Sequence, residues 1–139
     1  MRKRFQYLLV AAVLVAIAAL ARRPIFAQES FEFHYQYPQK TGKQIFQGVC
    51  QACHMPGAKG AVGAGAYPAL AGDPRLASAA YPAAMVLNGF AAMPPFRDNL
   101  SAQQVADVVN YIRTHFGNHY HDKLTAAAVL AVRTRTTGN

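Results

Sequence analysis

The pentapeptide Cys50-Gln51-Ala52-Cys53-His54 restricts what this chain can fold into more than any other feature of its sequence. Two thiols three positions apart, followed at once by an imidazole, are the attachment pattern of a c-type haem. The thiols can form thioethers with the two vinyl groups on one porphyrin edge, and the imidazole can bind the iron. The motif therefore predicts that Cys50 and Cys53 attach a haem and that His54 is an axial ligand.

The cysteine pair admits two other interpretations. A Cys-x-x-Cys redox pair belongs in a strand–helix frame of the thioredoxin type, but the flanking Ala- and Gly-rich sequence has no βαβ pattern. A structural zinc site needs further ligands at suitable spacing, and the chain has no second cysteine pair. Haem attachment is the interpretation that the sequence favours.

The N-terminus predicts export, which is the setting in which haem c is assembled. A basic start at residues 2–4 precedes an uncharged, mostly apolar run of 17 residues from Phe5 to Ala21. This order is typical of a signal peptide, and the run is shorter than the ~20 residues that cross a bilayer comfortably. We expect residues 1–27 to be a signal peptide, cleaved after Ala21 or Ala27, and the protein to be periplasmic. The alternative is an uncleaved anchor in the inner membrane.

The net charge of +8 belongs largely to this leader. From Gln28 onward, nine Lys and Arg residues face six Asp and Glu residues, a net charge of +3. Two haem propionates would lower this value to about +1. The basic residues form no run or stripe, so the sequence gives no support to nucleic-acid binding.

Patterning divides the remaining chain into three parts. Residues 28–39 alternate aromatic and polar side chains and predict an extended arm. Residues 40–118 form the predicted haem-binding domain, and residues 119–139 a C-terminal extension with a short helix at 125–133. No internal repeat is visible. A body of roughly 110 residues buries a smaller share of its surface than a large domain does, and this one has no Trp and is rich in Ala and Gly, so we expect a haem to supply a large apolar part of its core.

Helical periodicity and capping signals predict an all-α fold. Lys40 to Val49 reads as a helix, and Pro74 to Leu87 as one or two short helices interrupted before Pro82. Ser101 and Gln104 make a capping box for a helix that should run to Phe116 and end on Gly117. Gly57 to Gly65 reads as a loop, and Met93-Pro94-Pro95 excludes a regular helix. We expect about four to five short helices wrapped around one covalently bound haem.

The occupant of the sixth iron position separates an electron carrier from a catalyst. Met93 precedes two prolines on a segment that should be stiff, which makes it the favoured ligand. Met55 is too close to the attachment site to reach the opposite face, and Met85 lies in a predicted helix as a core residue. The remaining candidates are His34, His115, His119 and His121.

In their order along the chain, these features resemble the class I cytochrome c family. The likeness runs from about Thr41 to Asn118. It rests on Gly42-x-x-x-Phe46, Cys50-x-x-Cys53-His54, Pro68-Ala69-Leu70, Met93-Pro94-Pro95-Phe96 and a terminal helix with Tyr111.

The resemblance implies roles for several residues. Met93 would ligate the iron opposite His54, the Pro68 carbonyl would accept a hydrogen bond from His54, and Leu70 would pack on the porphyrin. The first and last helices would cross, with Gly42 admitting a close approach beside Phe46 and Tyr111.

The resemblance also implies electron transfer and no enzyme activity. Three stretches resemble cytochrome subunits of periplasmic dehydrogenases: Tyr67 to Pro74, Leu87-Asn88-Gly89, and Val109 to Asn118. Such a protein would accept electrons from a dehydrogenase and pass them towards a terminal oxidase or a quinone-linked complex. It would touch the membrane only if the leader were retained. The alternative function is a haem enzyme or gas-binding sensor with a labile sixth ligand.

Overall fold

A computed structural model describes residues 36–63 and 65–135 of the chain. Its first helix, α1, occupies residues 42–54 and carries the haem motif. The predicted leader and residues 28–35 of the predicted arm lie outside the described residues. Thr41 caps α1: its hydroxyl accepts from the Gln44 backbone N–H at 3.2 Å, and the Gln44 side chain accepts from the Thr41 N–H at 3.2 Å. A capping box therefore starts this helix.

The first helix is longer than its sequence pattern predicts. It consists of α-helix Gly42–Ile45, π-helix Phe46–Cys50 and α-helix Gln51–His54, and it therefore continues past Val49. The π-helical turn rotates the residues that follow it relative to a regular α-helix, and such turns often occur at functional sites. Because the helix extends to His54, Cys50, Cys53 and His54 all lie on α1 rather than in a loop after it.

The helix predicted from Ser101 is confirmed and here named α3, Ala102–Thr114. Ser101 and Gln104 form the predicted capping box, with hydrogen bonds of 3.2 and 2.9 Å. The predicted C-terminus was wrong, because α3 ends at Thr114 and His115 already has extended backbone. Phe116 and Gly117 both have positive φ and form the turn that redirects the chain.

Helices α1 and α3 cross at Gly42, as the resemblance implies. A Cβ at this position would overlap the Asp107 carbonyl oxygen and lie 2.8 Å from the Tyr111 Cβ. Beside the crossing, the Phe46 ring lies 5.9 Å from the Tyr111 ring and 4.7 Å from the Phe116 ring, centroid to centroid. Glycine is thus required because two backbones meet here, and the aromatic rings fill the space around the contact.

We expect Gly42→Ala to lower the free energy of unfolding by about 2 kcal/mol, because the added methyl meets backbone that cannot move aside. Gly48→Ala is the matched control on the same helix, since its Cβ would meet only the flexible Gln39 amide at 2.8 Å. Denaturant titration of both purified holoproteins measures the difference. Equal losses for the two variants would contradict a close crossing at Gly42.

The segment between α1 and α3 contains two 3₁₀ turns, a small hairpin and one α-helix. A 3₁₀ turn, Pro56–Ala58, leads into a two-stranded antiparallel hairpin: β1, Ala61–Val62, lies within the predicted loop, and β2, Ala66–Tyr67, follows directly after it. A second 3₁₀ turn, Pro74–Ala77, precedes helix α2, Ala80–Asn88. The predicted interruption before Pro82 is confirmed: the chain leaves helical structure at residues 78–79, and Pro82 lies in the first turn of α2, where a proline is tolerated.

The C-terminal extension folds back onto the domain as helix α4, Ala126–Arg135, close to its predicted position. It packs on α2 and α3, burying apolar side chains of the extension: Leu124, Val129 and Val132. Within the described residues no helix is both long and apolar enough to cross a membrane. The fold is therefore predominantly helical, as predicted, with a small hairpin that the sequence pattern did not reveal.

Candidate haem-attachment site

The last two turns of α1 present the haem motif on one side of the helix. Cys50 and Cys53 are three residues apart, a spacing that brings side chains to the same helix face. Neither thiol is in a disulfide; Cys50 is half-buried and Cys53 is exposed. His54 follows at the helix end with only 9% of its surface exposed. The two thiols thus lie next to a buried imidazole.

The environment of Cys50 disfavours the thiolate form of its side chain. Burial raises the pKa of the Cys50 thiol to about 12, and the neighbouring Cys53 adds to the increase. Redox-active cysteines need the opposite, a lowered pKa that maintains the thiolate at neutral pH. The pKa of Cys50 therefore argues against a thioredoxin-like redox pair.

The zinc interpretation is likewise unsupported by the side-chain arrangement. Over residues 36–63 and 65–135, no three His, Cys, Asp or Glu side chains gather closely enough to hold a metal ion. A structural zinc site needs four such ligands in tetrahedral arrangement.

The His54 ring is oriented by a hydrogen bond to the segment that follows the hairpin. Its Nδ1–H donates to the Pro68 carbonyl oxygen at 2.9 Å. This bond places the ring proton on Nδ1 and leaves the Nε2 lone pair free to bind a metal. The pairing is the one that the resemblance to cytochrome c implies for Pro68.

Gly60 allows the Pro68 carbonyl to reach His54. This glycine has a φ of +67°, and a Cβ at its position would overlap the Tyr67 carbonyl oxygen and lie 2.7 Å from the Pro68 carbonyl carbon. Its own N–H donates to the His54 carbonyl oxygen at 3.0 Å. The glycine thereby joins the end of α1 to the segment that orients the histidine, a role that the sequence pattern did not reveal.

Two further anchors hold the segment that contains Pro68 and Leu70. The Ala58 carbonyl accepts from the Leu70 N–H at 2.8 Å, and the buried Asn118 amide donates to the Leu70 carbonyl at 2.8 Å. Asn118 also donates to the Ile112 carbonyl and accepts from the Asp73 N–H. Sequence reasoning assigned no role to Asn118, although a polar residue in a turn after an amphipathic helix is a signal for such an anchor. Leu70 itself is half-buried against the core.

Met93 lies in a narrow turn after α2. Its backbone pairs with Phe90 through two hydrogen bonds of 2.9 and 3.0 Å, and its side chain is half-buried against the core. Gly89, with a φ of +70°, allows the turn to close, because a Cβ there would overlap the Met93 carbonyl oxygen and lie 2.8 Å from the Pro95 nitrogen. The segment is thus non-helical and tightly held, as expected from its two prolines.

The other candidate sixth ligands have different surroundings. Met85 is a half-buried residue of α2. His115 is exposed and stacks on the Tyr111 ring at 4.1 Å between centroids, with its Nδ1–H directed at the Tyr111 carbonyl. His119 and His121 are exposed, and His34 lies outside the described residues.

These donors suit haem c by their chemistry. Two unpaired thiols adjoin a buried imidazole whose Nδ1–H is already committed to a carbonyl. The chain also has the thioether of Met93 on a constrained turn, and the apolar Leu70 two residues after Pro68, whose carbonyl accepts from His54. Thiols for covalent attachment, imidazole and thioether for the iron, and an apolar surface for the ring are the protein groups that such a cofactor uses.

Comparisons with known proteins agree with this chemistry. Residues 38–112 match the family described as cytochrome c oxidase, cbb3-type, subunit III. Two relatives, from Gluconacetobacter polyoxogenes and Komagataeibacter europaeus, are each 55% identical over 42 residues, which is 30% of this chain and 9% of theirs. A third, from Gluconobacter oxydans, is 30% identical over 107 residues, which is 68% of this chain and 22% of its own.

All three relatives carry the description alcohol dehydrogenase (quinone), cytochrome c subunit. The chain therefore spans less than a quarter of the length of the curated relatives that it matches. No solved structure gives a significant match.

Proposed function

Because this chain belongs to the cytochrome c family described as cbb3-type oxidase subunit III, we propose that it carries single electrons on one haem c, covalently attached through Cys50 and Cys53. The observation that carries the proposal is the hydrogen bond from His54 to the Pro68 carbonyl, next to the two unpaired thiols. It orients an imidazole for metal binding at the position where the cysteines would fix the porphyrin edge.

In this proposal each protein group has one task. When bound, the haem supplies an iron that alternates between Fe(II) and Fe(III). His54 and Met93 would hold this iron, and Leu70 would pack against the ring. The Pro68 carbonyl holds the ring proton on Nδ1 and leaves Nε2 available for the iron, while Gly60 gives the carbonyl the room to do so. The neutral thioether sulfur of Met93 favours the reduced iron and so raises the reduction potential.

Two protein ligands leave no position for a substrate, which is why we propose a carrier. The turn around Met93 supports a held ligand, since two backbone hydrogen bonds to Phe90 and the packing at Gly89 restrain it. The alternative, a haem enzyme or a gas-binding sensor, requires a sixth ligand that leaves readily.

The descriptions of the relatives suggest the electron donor. All three name a cytochrome c subunit of a quinone-linked alcohol dehydrogenase. We propose that a periplasmic dehydrogenase reduces this protein and that a terminal oxidase or a quinone-linked complex oxidises it. The predicted leader supports a periplasmic location, with the inner membrane as the site of attachment if the leader is retained.

We expect protein matured in an exporting host to retain one haem per chain after acid–organic extraction, and its reduced form to exclude carbon monoxide. Intact mass spectrometry and optical spectra with and without carbon monoxide measure both properties. A Cys50→Ser, Cys53→Ser variant, exported with the same leader, is the matched control and should lose its haem on extraction. A haem-free mass for the matured protein would refute attachment, and a carbon monoxide complex of the native protein would favour the sensor or enzyme.

A further inference from the structure

The segment that carries Met93, residues 89–96, is closed at its base by backbone contacts. Gly89 donates to the Met85 carbonyl at 2.9 Å where α2 ends, and Phe96 donates to the Val86 carbonyl at 2.9 Å where the segment returns. Both ends therefore meet the last turn of α2, and the segment between them is a short closed loop.

A pair of side chains links the two residues that flank this loop. Asn88, the last residue of α2, donates through its amide to the Ala84 carbonyl at 3.0 Å. Its amide oxygen accepts from the Arg97 guanidinium at 3.0 Å. We call the Asn88–Arg97 pair the loop clasp. Because the asparagine is tied to its own helix on one side, the arginine is tied through it to that helix as well.

We propose that Asn88 and Arg97 are positioning residues that hold Met93 against the iron by closing the base of its loop. This inference rests on the proposed function, since it has meaning only if Met93 is the sixth ligand. A hydrogen bond that involves a charged donor is stronger than one between neutral groups, and here it joins the residues immediately outside the two ends of the loop. The clasp therefore resists the opening that would carry the thioether away.

The consequence is measurable because an added ligand competes with Met93. Imidazole can bind the ferric iron only when the sixth position is open, so its apparent affinity is its intrinsic affinity multiplied by the open fraction. Loosening the loop raises that fraction without changing the intrinsic affinity. A purely structural role for the clasp would lower global stability and leave this ratio unchanged.

The experiment titrates the oxidised holoprotein with imidazole and records the far-red sulfur–iron absorption. We expect Arg97→Gln and Asn88→Ala each to raise the apparent imidazole affinity about fivefold, the order of one hydrogen bond lost between solvent-exposed side chains. The double variant should raise the affinity by less than the product of the two single effects, because either single substitution already removes the hydrogen bond between Asn88 and Arg97. Arg97→Lys, which keeps a charged donor, should recover part of the difference.

Arg75→Gln is the matched control. It removes an arginine that lies outside residues 88–97, pairs with Asp73 and has a side chain that is 56% exposed. We expect it to bind imidazole as the native protein does, and the denaturation midpoints of all these variants to stay close together. If Asn88→Ala and Arg97→Gln behave like Arg75→Gln while the native far-red band is present, the clasp proposal is wrong and Met93 ligation stands. If the native protein lacks the band and Met93→Ala does not change imidazole binding, both proposals fail.

Discussion

Replacing Met93 by alanine is expected to remove the far-red sulfur–iron(III) absorption and to lower the reduction potential by on the order of 0.1–0.3 V, a part of the ~0.8 V that axial ligation spans. The physical reason is the loss of the proposed sixth ligand, whose soft, neutral sulfur favours Fe(II). The open position should also admit carbon monoxide to the reduced form. Redox titration and optical spectra of the holoprotein measure these changes.

Met85→Ala is the appropriate comparison for this prediction. Met85 is also a half-buried methionine, but it lies within α2 rather than on the turn between Gly89 and Phe96. We expect its spectrum and potential to remain close to the native values. The opposite pattern, with the band lost in Met85→Ala and retained in Met93→Ala, would show that the sixth ligand has been misassigned.

The second large effect is expected at Arg113, whose side chain is completely buried. Its guanidinium donates to the Leu76 carbonyl at 2.8 Å and to the Ala77 carbonyl at 3.1 Å. It also donates to the carbonyl of Asp122 and to its carboxylate, the latter at 2.6 Å. One side chain thus ties α3 to the 3₁₀ turn before α2 and to the C-terminal extension.

We expect Arg113→Met to lower the free energy of unfolding by about 3 kcal/mol. Methionine keeps much of the volume but leaves at least two carbonyl groups without their buried donor, each costing roughly 1–3 kcal/mol. The measurement is denaturant unfolding of the holoprotein, together with proteolysis of the extension, which should become faster because Asp122 loses its partner.

Asp122→Asn separates this carbonyl network from the ion pair. The Asp122 side chain is 73% exposed, and asparagine keeps an oxygen that can accept from Arg113, so this replacement should cost less stability than loss of the buried carbonyl contacts. Equal destabilisation by Arg113→Met and Asp122→Asn would contradict the assignment of the main effect to the buried carbonyls.

The elements that local sequence signals predicted are present in the fold. The capping box of Ser101 and Gln104 and the apolar repeat after it predicted α3, because each depends on residues three or four positions apart. The prediction failed at the end of that helix. Gly117 looked like a cap, but α3 ends at Thr114, and the Thr114 hydroxyl donates to the Asn110 carbonyl at 2.8 Å.

The haem motif itself was readable from the sequence because the chemistry of a Cys-x-x-Cys-His run is contained in five adjacent residues. Met93 was a candidate through its place before two prolines and through the resemblance, and Pro68 through the resemblance alone; their roles toward the iron remain proposals. The structure contributes the hydrogen bond from His54 to Pro68, which joins residues 14 positions apart. No periodicity encodes such a pairing.

The glycines show most clearly which properties needed the tertiary structure. Gly60 and Gly89 are indistinguishable in the sequence from ordinary loop glycines, yet both have a positive φ. A Cβ at Gly60 would overlap the backbone of the segment that contains Pro68, and a Cβ at Gly89 would overlap the backbone at Met93. Those overlaps exist only after the Pro68 and Met93 segments have folded back. The sequence by itself therefore determined which groups are available for haem attachment, whereas the fold determined their orientation, because orientation depends on non-local backbone contacts.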